Sequence, residues 1–254
     1  MTKIAGIINY TPDSFFDGGD IATPQQALDA YDEILEYGGS LVDIGAESTR
    51  PGATPLSDDE EWQRIEPALR LLSGRQAVSL DTYHPATARK ALSYLRSFIV
   101  NDVTGLRDPA MQEFVAENEL DCIVSHFPDA EDIQAAHFFK PTDSVEQVVD
   151  ELLTRRDDLV LRGIHRSRIW LDPGIGFGKS SRELNFELLE FPKYAPDHQV
   201  MIGASHKKFL GENRLEIAVN LEAAKIAIDA GAAWLRVHRK DIPHYLPLIT
   251  NSHT

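Results

Sequence analysis

Cysteine is almost absent from the sequence: Cys122 is the only one among 254 residues. An internal disulfide is therefore excluded, and because Cys122 lies in a short apolar run we expect a buried, unreactive thiol. Long apolar runs are also absent, since none approaches the roughly 18 residues that a membrane-spanning helix needs. With 43% hydrophobic and 26% charged residues, the composition is that of a globular protein and excludes a disordered or collagen-like chain.

Basic residues are in short supply. There are 25 Lys and Arg against 40 Asp and Glu, which gives a formal net charge of −15. Nucleic acid and anionic membranes both require broad basic surfaces, so we expect neither as a partner. A small anionic ligand would need a local group of Arg, Lys and His. Residues 1–4 lead straight into an apolar run and leave no room for a signal peptide, so we expect a cytoplasmic location.

Short β-branched apolar runs alternate with longer segments of helical spacing. The runs that predict strands are residues 4–9, 41–45, 77–81, 98–103, 122–126, 169–172, 200–205 and 234–238. The segments that predict helices are residues 24–37, 58–72, 85–95, 110–118, 144–162, 182–191 and 215–230. Eight strand-and-helix units in about 250 residues is the number in a closed (β/α)8 TIM barrel. We predict such a barrel as a single domain over residues 1–254, with a doubly wound open sheet as the alternative.

The predicted helices carry recognisable start signals. Pro24 and Pro85 each stand at a first helical turn, and residues 57–60 form a capping-box pattern. The last unit departs from the rest, because Pro247 follows the eighth strand closely and proline breaks a helix interior. We therefore expect the eighth helix to be short or irregular.

Polar side chains follow every predicted strand, at the end where the active sites of such barrels lie. Acceptor groups come from Asp81, Asn101 and Asp172, and a carboxylate can accept two parallel bonds from a flat heterocycle rich in N–H groups. Positive groups come from the following residues: Arg50, Lys207, Arg236 and His238. Positive charge of this kind suits phosphate. The pattern predicts a site for a donor-rich ring joined to a phosphate or pyrophosphate.

Several segments together resemble the sequence motifs of the dihydropteroate synthase family. Two long ones, residues 6–19 and 43–53, are highly specific to it. Shorter matches occur in the same order along the chain, at residues 79–82, 100–103, 172–179 and 236–238. This family has a (β/α)8 fold. The resemblance implies that the protein joins hydroxymethyl-dihydropterin pyrophosphate to p-aminobenzoate and releases pyrophosphate, with Mg²⁺ as cofactor.

The resemblance also implies roles for individual residues. The pterin pocket is formed by Asp81, Asn101, Asp172 and Lys207. Pyrophosphate is held by Asn9, Arg236 and His238, with Asn9 also near Mg²⁺. The loops at residues 11–19 and 49–52, the second of which includes Thr49, Arg50 and Pro51, close over the site. The aminobenzoate is bordered by Pro51, Phe177, Ser205, His206, Lys207 and Lys208.

Chemical reasoning agrees with these assignments. Breaking the C–O bond at a methylene beside an electron-rich ring spreads positive charge into the ring, and the Asp81 carboxylate would stabilise it. Arg236, His238 and Mg²⁺ would neutralise the leaving pyrophosphate. Asp81, Lys207, Arg236 and His238 are therefore the predicted catalytic residues. A neutral arylamine is already nucleophilic, so a protein nucleophile is not required.

Three other functions compete with this one. A phosphate loop at residues 174–180 would need glycine in place of Pro173. A zinc hydrolase would need paired histidines near a strand end, whereas the nine histidines are scattered. The remaining alternative is a pterin-binding relative without synthase activity, either non-catalytic or handling methyl-tetrahydrofolate. Residues 49–52 and 236–238, which only the pyrophosphate reaction needs, favour the synthase.

The sequence departs from the family pattern at a few positions. His206 stands where the family usually has arginine, and we expect it to be mostly neutral at pH 7 beside Lys207 and Lys208. Ser125 and Phe127 replace the methionines that commonly flank His126. Family members often pair through their last helices, so a homodimer is expected only if the curtailed eighth helix allows it.

Overall fold

Parallel strand pairing continues from each strand to the next and closes between the last strand and the first. The computed structural model describes residues 1–11, 21–49, 53–127 and 141–250. Its strands are β1 (Lys3–Asn9), β2 (Leu41–Gly45), β3 (Val78–Asp81), β4 (Ile99–Asp102), β5 (Asp121–Ser125), β6 (Ile169–Asp172), β7 (Gln199–Ile202) and β8 (Trp234–His238). They pair in sequence order as a closed barrel, so the TIM-barrel prediction is confirmed and the open sheet is wrong.

The helices form the outer layer of the barrel. They are α1 (Pro24–Glu36), α2 (Asp58–Leu71), α3 (Pro85–Ala91), α4 (Pro109–Glu117), α5 (Val145–Leu161), α6 (Arg182–Glu187), α7 (Ile217–Asp229) and α8 (Ile242–Thr250). Within the described ranges, none of them is long and apolar enough to cross a membrane. All four described segments contribute to the barrel; that the whole of 1–254 forms one domain remains a prediction.

The start signals act as the sequence indicates. Ser57 and Glu60 make the reciprocal capping box of α2, and Thr23 and Gln26 make another at α1. His84 precedes Pro85 at the start of α3 but makes no cap bond with its side chain. These contacts satisfy backbone N–H groups that a helix leaves without internal partners.

Several elements end earlier than the sequence predicts: α3 ends at Ala91 rather than at residue 95, and α6 ends at Glu187 rather than at residue 191. The β7 strand ends at Ile202 rather than at residue 205, because the chain turns there and Lys207 N donates to Ala204 O at 3.1 Å. The eighth helix is short, as expected, with nine residues. Pro247 lies inside it rather than ending it, and the helix forgoes the one backbone bond that the missing N–H would have made.

An apolar layer fills the interior of the barrel near the amino-terminal ends of its strands, below the end where the polar residues lie. Its members are Ala5, Leu41, Ile99, Ile123, Trp170, Met201 and Trp234. The rings of Trp170 and Trp234 stack with centroids 5.0 Å apart. Side chains two residues apart on a strand share a face, so the residue two positions after each of these also points into the barrel. The layer therefore forms the floor on which the next interior layer rests.

We predict that this floor is a main source of stability. Leu41→Ala removes a buried side chain from it and should lower the free energy of unfolding by about 2–5 kcal/mol, because a cavity remains. The matched control is Leu161→Ala, at a leucine that is 86% exposed, which should change it by less than about 0.5 kcal/mol. Urea unfolding followed by circular dichroism measures both. Equal losses for the two variants would contradict the assignment.

Candidate active site

Four polar residues form the interior layer directly above the apolar floor. Asp43, Asn101, Asp172 and Arg236 each lie two positions after a floor residue, on β2, β4, β6 and β8. Alternate strands of a (β/α)8 barrel contribute side chains to the same layer, so these four face one another. Asp81 ends the neighbouring strand β3 and joins them. The sequence predicts four of these five as site residues, and the structure brings all five together.

The Arg236 guanidinium bridges two carboxylates. Its Nε lies 2.6 Å from Asp43 Oδ2, and its Nη2 lies 2.7 Å from Asp81 Oδ2. Asn101 Nδ2 donates to both oxygens of Asp43, at 3.1 and 3.2 Å. Burial alone would lower the pKa of Arg236, but Asp43 and Asp81 outweigh it and raise the pKa. A guanidinium has more N–H donors than these two bonds use, so Arg236 can still contact an anion.

The two carboxylates beside Arg236 differ in exposure. The side chain of Asp43 is completely buried, whereas that of Asp81 is 27% exposed. Burial raises the pKa of Asp81 to about 7, although Arg236 pulls it down. Asp43 therefore acts as a fixed internal partner of Arg236, and Asp81 is the carboxylate that a ligand in the barrel mouth can reach.

Asp172 and Lys207 form the opposite side of the layer. Asp172 Oδ1 accepts a bond from Gly174 N at 2.7 Å. Burial raises the pKa of Asp172, and the Lys207 ammonium opposes that rise. Burial also lowers the pKa of Lys207 to about 8. Lys207 Nζ donates to Ile175 O and lies 4.3 Å from the centre of the Phe177 ring, so predicted pterin and aminobenzoate residues are adjacent.

Lys179 has a structural position in the loop after β6. Its Nζ donates to Gly174 O at 3.0 Å and to Phe177 O at 2.9 Å, and it also lies 3.0 Å from His126 Nδ1. A phosphate-loop lysine would instead point at a ligand. The position of Lys179 therefore agrees with the prediction that residues 174–180 do not form a phosphate loop. Its bonds support the loop that carries Phe177.

Histidines from β8 and from the loop after β7 stack at the mouth of the barrel. The rings of His206 and His238 are 4.0 Å apart between centroids, and His238 Nδ1 lies 2.8 Å from Ser205 Oγ. His206 Nε2 lies 2.7 Å from Asp241 Oδ2. The imidazole of His206 therefore faces an acidic side chain and not Lys207 or Lys208, its neighbours in the sequence. The side chain of Lys207 points to Ile175, and the side chain of Lys208 is exposed. Asp241, which the imidazole contacts, follows β8.

The backbone at His206 has a left-handed conformation, with φ +59°. A buried asparagine of α7 supports it: Asn220 Oδ1 accepts from His206 N at 2.9 Å. The amide group of Asn220 also donates to Arg214 O at 2.7 Å and Glu216 O at 2.9 Å. Asn220 thus holds the turn of the predicted aminobenzoate site, and no sequence pattern indicated it.

The remaining predicted residues lie around the rim or outside the described residues. Asn9 ends β1 and is exposed, and Thr49 is partly buried in the loop after β2. Arg50 and Pro51 lie outside the described residues, as does most of the predicted loop at residues 11–19. Besides Asn220, sequence reasoning missed Asp43, which lies in the motif at residues 43–53 but was not assigned a role in the site. Its position two residues after the floor residue Leu41 is the signal that could have found it.

We predict that the buried pair between Asp43 and Arg236 contributes measurably to stability. Asp43→Asn keeps the shape of the side chain but removes the charged acceptor of the Arg236 guanidinium. This change should lower the free energy of unfolding by about 1–3 kcal/mol. The control is Asp32→Asn, which breaks an aspartate–arginine pair whose side chains are 53% and 44% exposed. Exposed pairs contribute about 0–1 kcal/mol, so the control should lose less. Denaturant unfolding of both variants tests this; a larger loss for Asp32→Asn would refute it.

Comparison with known proteins places this site in a family. Residues 5–238 match the family described as pterin binding enzyme. A dihydropteroate synthase of Streptococcus pyogenes is 37% identical over 249 residues, which are 92% of this chain and 89% of that protein. A probable bifunctional folylpolyglutamate synthase/dihydropteroate synthase of Haloferax volcanii is 38% identical over 95% of this chain, which spans only 29% of that longer protein.

A solved structure agrees with the sequence matches. The Xanthomonas albilineans dihydropteroate synthase with 4-aminobenzoic acid superposes with a TM-score of 0.83 at 33% identity, over 98% of this chain and 91% of that one. Family match, relatives and shared architecture cover nearly the whole barrel, including all five residues of the central polar layer. The chain therefore belongs to the pterin-binding enzyme family and, within it, to the dihydropteroate synthases.

Proposed function

We propose that the protein condenses 6-hydroxymethyl-7,8-dihydropterin pyrophosphate with p-aminobenzoate, giving 7,8-dihydropteroate and pyrophosphate in folate biosynthesis. The observation that carries this proposal is the layer of Asp43, Asp81, Asn101, Asp172 and Arg236 above an apolar floor. It presents acceptors to the edge of a donor-rich ring and places a guanidinium beside them. Family members solved with 4-aminobenzoic acid and with 7,8-dihydropteroate support the choice of substrates.

The pterin would bind with its donor-rich edge toward the acceptor groups of the layer. Asp172 and Asn101 accept its amino and N–H hydrogens, and Lys207 donates to the ring from the other side. The apolar floor below and the buried setting strengthen these bonds, because competing water is excluded. Phe177 lies beside Lys207 and forms the wall next to which the aminobenzoate would bind.

Bond exchange at the methylene carbon completes the reaction. The arylamine nitrogen forms the C–N bond while the C–O bond to pyrophosphate breaks, and the proton of the amine passes to solvent. As the leaving group departs, positive charge spreads into the ring, where the Asp81 carboxylate stabilises it. Arg236 and His238 donate to the departing pyrophosphate from β8.

Asn9 is the residue that would hold Mg²⁺. Its side chain ends β1 at the barrel rim, where an amide oxygen can ligate a hard cation. Mg²⁺ usually keeps several waters and binds through few protein groups plus substrate phosphates, so a single amide fits it. When bound, the ion would neutralise charge on the pyrophosphate. Dimer formation and a cytoplasmic location stay predictions.

The direct test is an assay for the product. The full chain is incubated with dihydropterin pyrophosphate, p-aminobenzoate and Mg²⁺, and dihydropteroate is measured by chromatography. Product formation that depends on both substrates is the expected result. Pterin binding without product would identify the alternative, a pterin-binding relative that lacks synthase activity.

Pterin affinity should depend on the acceptor character of Asp172. In Asp172→Asn one carboxylate oxygen becomes a donor and faces ligand N–H groups, so binding should weaken by about 1–3 kcal/mol. Calorimetry with a pterin ligand measures this, and circular dichroism checks the fold. Asp150→Asn, at an exposed residue of α5, is the control and should bind as the wild type does. An unchanged affinity in folded Asp172→Asn would remove Asp172 from the pocket.

The rate should fall at alkaline pH because Lys207 loses its proton. Its pKa is lowered to about 8, so the lysine is charged below that pH and becomes neutral as pH rises through it. We expect kcat/KM to decline across the same range, since this quantity reports groups of the free enzyme. Lys207→Arg carries a charge that persists over this range and should shift or abolish the decline, even at a lower maximum rate. Parallel profiles for the two forms would assign the decline to another group.

A further inference from the structure

An ionic cluster lies beside the barrel mouth, buried except at Asp58, whose side chain is 54% exposed, and the proposed reaction does not use it. At its centre is His84, which is 7% exposed. Its Nε2 lies 2.9 Å from Glu47 Oε2, and its Nδ1 lies 2.7 Å from Asp58 Oδ1. Carboxylate oxygens only accept hydrogen bonds, so both ring nitrogens carry a hydrogen and the imidazole is a cation.

Further bonds fix the cluster in place. Glu47 Oε1 accepts from the Tyr83 hydroxyl at 2.5 Å and from Leu56 N at 3.3 Å. Thr82 Oγ1 donates to Glu61 Oε2 at 2.8 Å and accepts from His84 N at 3.1 Å. Glu47, Asp58 and Glu61 are the acidic groups around the ring, and burial raises the pKa of Glu61 to about 7. Removing one member of the cluster would leave a buried charge without its partner, which would destabilise the fold.

The pKa of His84 agrees with the geometry. Burial alone would lower it, but the hydrogen bonds to Glu47 and Asp58 and the charge of Glu61 raise it to about 9. Glu47, Glu61 and His84 also have the spacing of metal ligands, with atoms within 4.8 Å of one another. Because each ring nitrogen already faces a carboxylate, the arrangement is an ion cluster, and a metal is not needed to explain it.

The two carboxylates that His84 joins stand at opposite ends of one loop. Glu47 follows β2 and directly precedes Ser48 and Thr49, whereas Asp58 is the first residue of α2. The bond from Leu56 N to Glu47 ties the returning chain to the outgoing one. The loop emerges at the carboxyl end of β2, the end of the barrel where substrates bind. His84 thus fastens both stems of a loop predicted to carry substrate contacts.

We propose that His84 is a positioning residue, whose imidazolium holds Glu47 and Asp58 together and so places the stems of the loop after β2 for p-aminobenzoate binding. This inference rests on the proposed synthase function. Pterin binding is served by the barrel layer of Asp81, Asn101 and Asp172 and does not depend on the loop stems. Loss of His84 should consequently affect the two substrates unequally.

Steady-state kinetics of His84→Gln tests this inequality. Glutamine can donate to one carboxylate but cannot supply a charge to both. The KM for p-aminobenzoate should rise about tenfold or more, the loss expected when charge-assisted bonds are removed. The affinity for a pterin ligand should stay within about twofold of the wild type, a change of well under 1 kcal/mol.

The matched control is a histidine at the other end of the barrel. His198 lies just before β7, partly buried, with its Nε2 3.0 Å from Arg156 Nη1. His198→Gln should leave both substrate parameters unchanged. His84→Gln with an unchanged KM for p-aminobenzoate, or with pterin affinity lost to the same degree, would overturn the inference, because the residue would then be neutral or merely structural.

A charge-keeping variant supplies a second readout. His84→Arg retains a cation that can donate to both carboxylates, and unlike histidine it stays charged at pH 9 to 10. In the wild type the KM for p-aminobenzoate should rise as pH passes about 9, where His84 loses its proton. In His84→Arg this rise should be absent. Titration of Lys207 is common to both proteins, so the ratio of their KM values isolates His84, and a constant ratio across this range would count against the proposal.

Hydrogen exchange separates this inference from the proposed function. The amide of Leu56 is held by Glu47, so its exchange should be faster in His84→Gln than in the wild type or His198→Gln. This measurement needs no substrate. If the wild type makes no dihydropteroate, the proposed function fails while the exchange result still tests the clamp. If exchange at Leu56 is unchanged, the clamp is refuted whatever the activity.

Discussion

The ion pairs of Arg236 with Asp43 and Asp81 are the interaction on which the site depends. Three carboxylates at one barrel mouth would repel one another in a chain that already carries a net charge of −15. A single guanidinium between two of them offsets this repulsion and keeps the acceptors available. Asp43 is buried and holds Arg236 in place, which leaves Asp81 at the surface that faces a ligand. The division of labour follows from their exposure, since the two residues are chemically identical.

The apolar floor strengthens the electrostatic interactions of the polar layer above it. The stacked rings of Trp170 and Trp234 exclude water from below, so charges above them lie in a medium of low polarity. The same setting raises the pKa of Asp81 and Asp172 and lowers that of Lys207. Groups that titrate nearer to neutrality than usual are a frequent property of enzyme sites. The exclusion of water by the packed floor therefore also shifts the pKa values of the site residues.

Loops around the mouth are held by buried polar side chains from neighbouring units. Asn220 of α7 supports the turn at His206, and Asp241 and His238 meet the imidazole of that residue. On the other side His84 joins the two stems of the loop after β2. Lys179 supports the loop that carries Phe177. Lys179 acts within its own loop, whereas the supports at His206 and His84 join separate segments of the chain, so these parts of the rim are held by tertiary contacts.

Periodicity and local chemistry in the sequence determined most of the barrel. The bounds of β2, β6 and β8 agree with the apolar runs, and the capping box at Ser57 begins α2 where its pattern indicates, because these depend on neighbours along the chain. Motifs also indicated Asp81, Asn101, Asp172 and Arg236 as site residues. Only the tertiary structure decided that Asp43 is the buried partner of Arg236, that His206 faces Asp241 and not its neighbouring lysines, and that β7 ends early. The physical reason is that side-chain partners are set by strand register and loop return across the barrel, which bring together residues such as Asp43 and Arg236, 193 positions apart in the sequence.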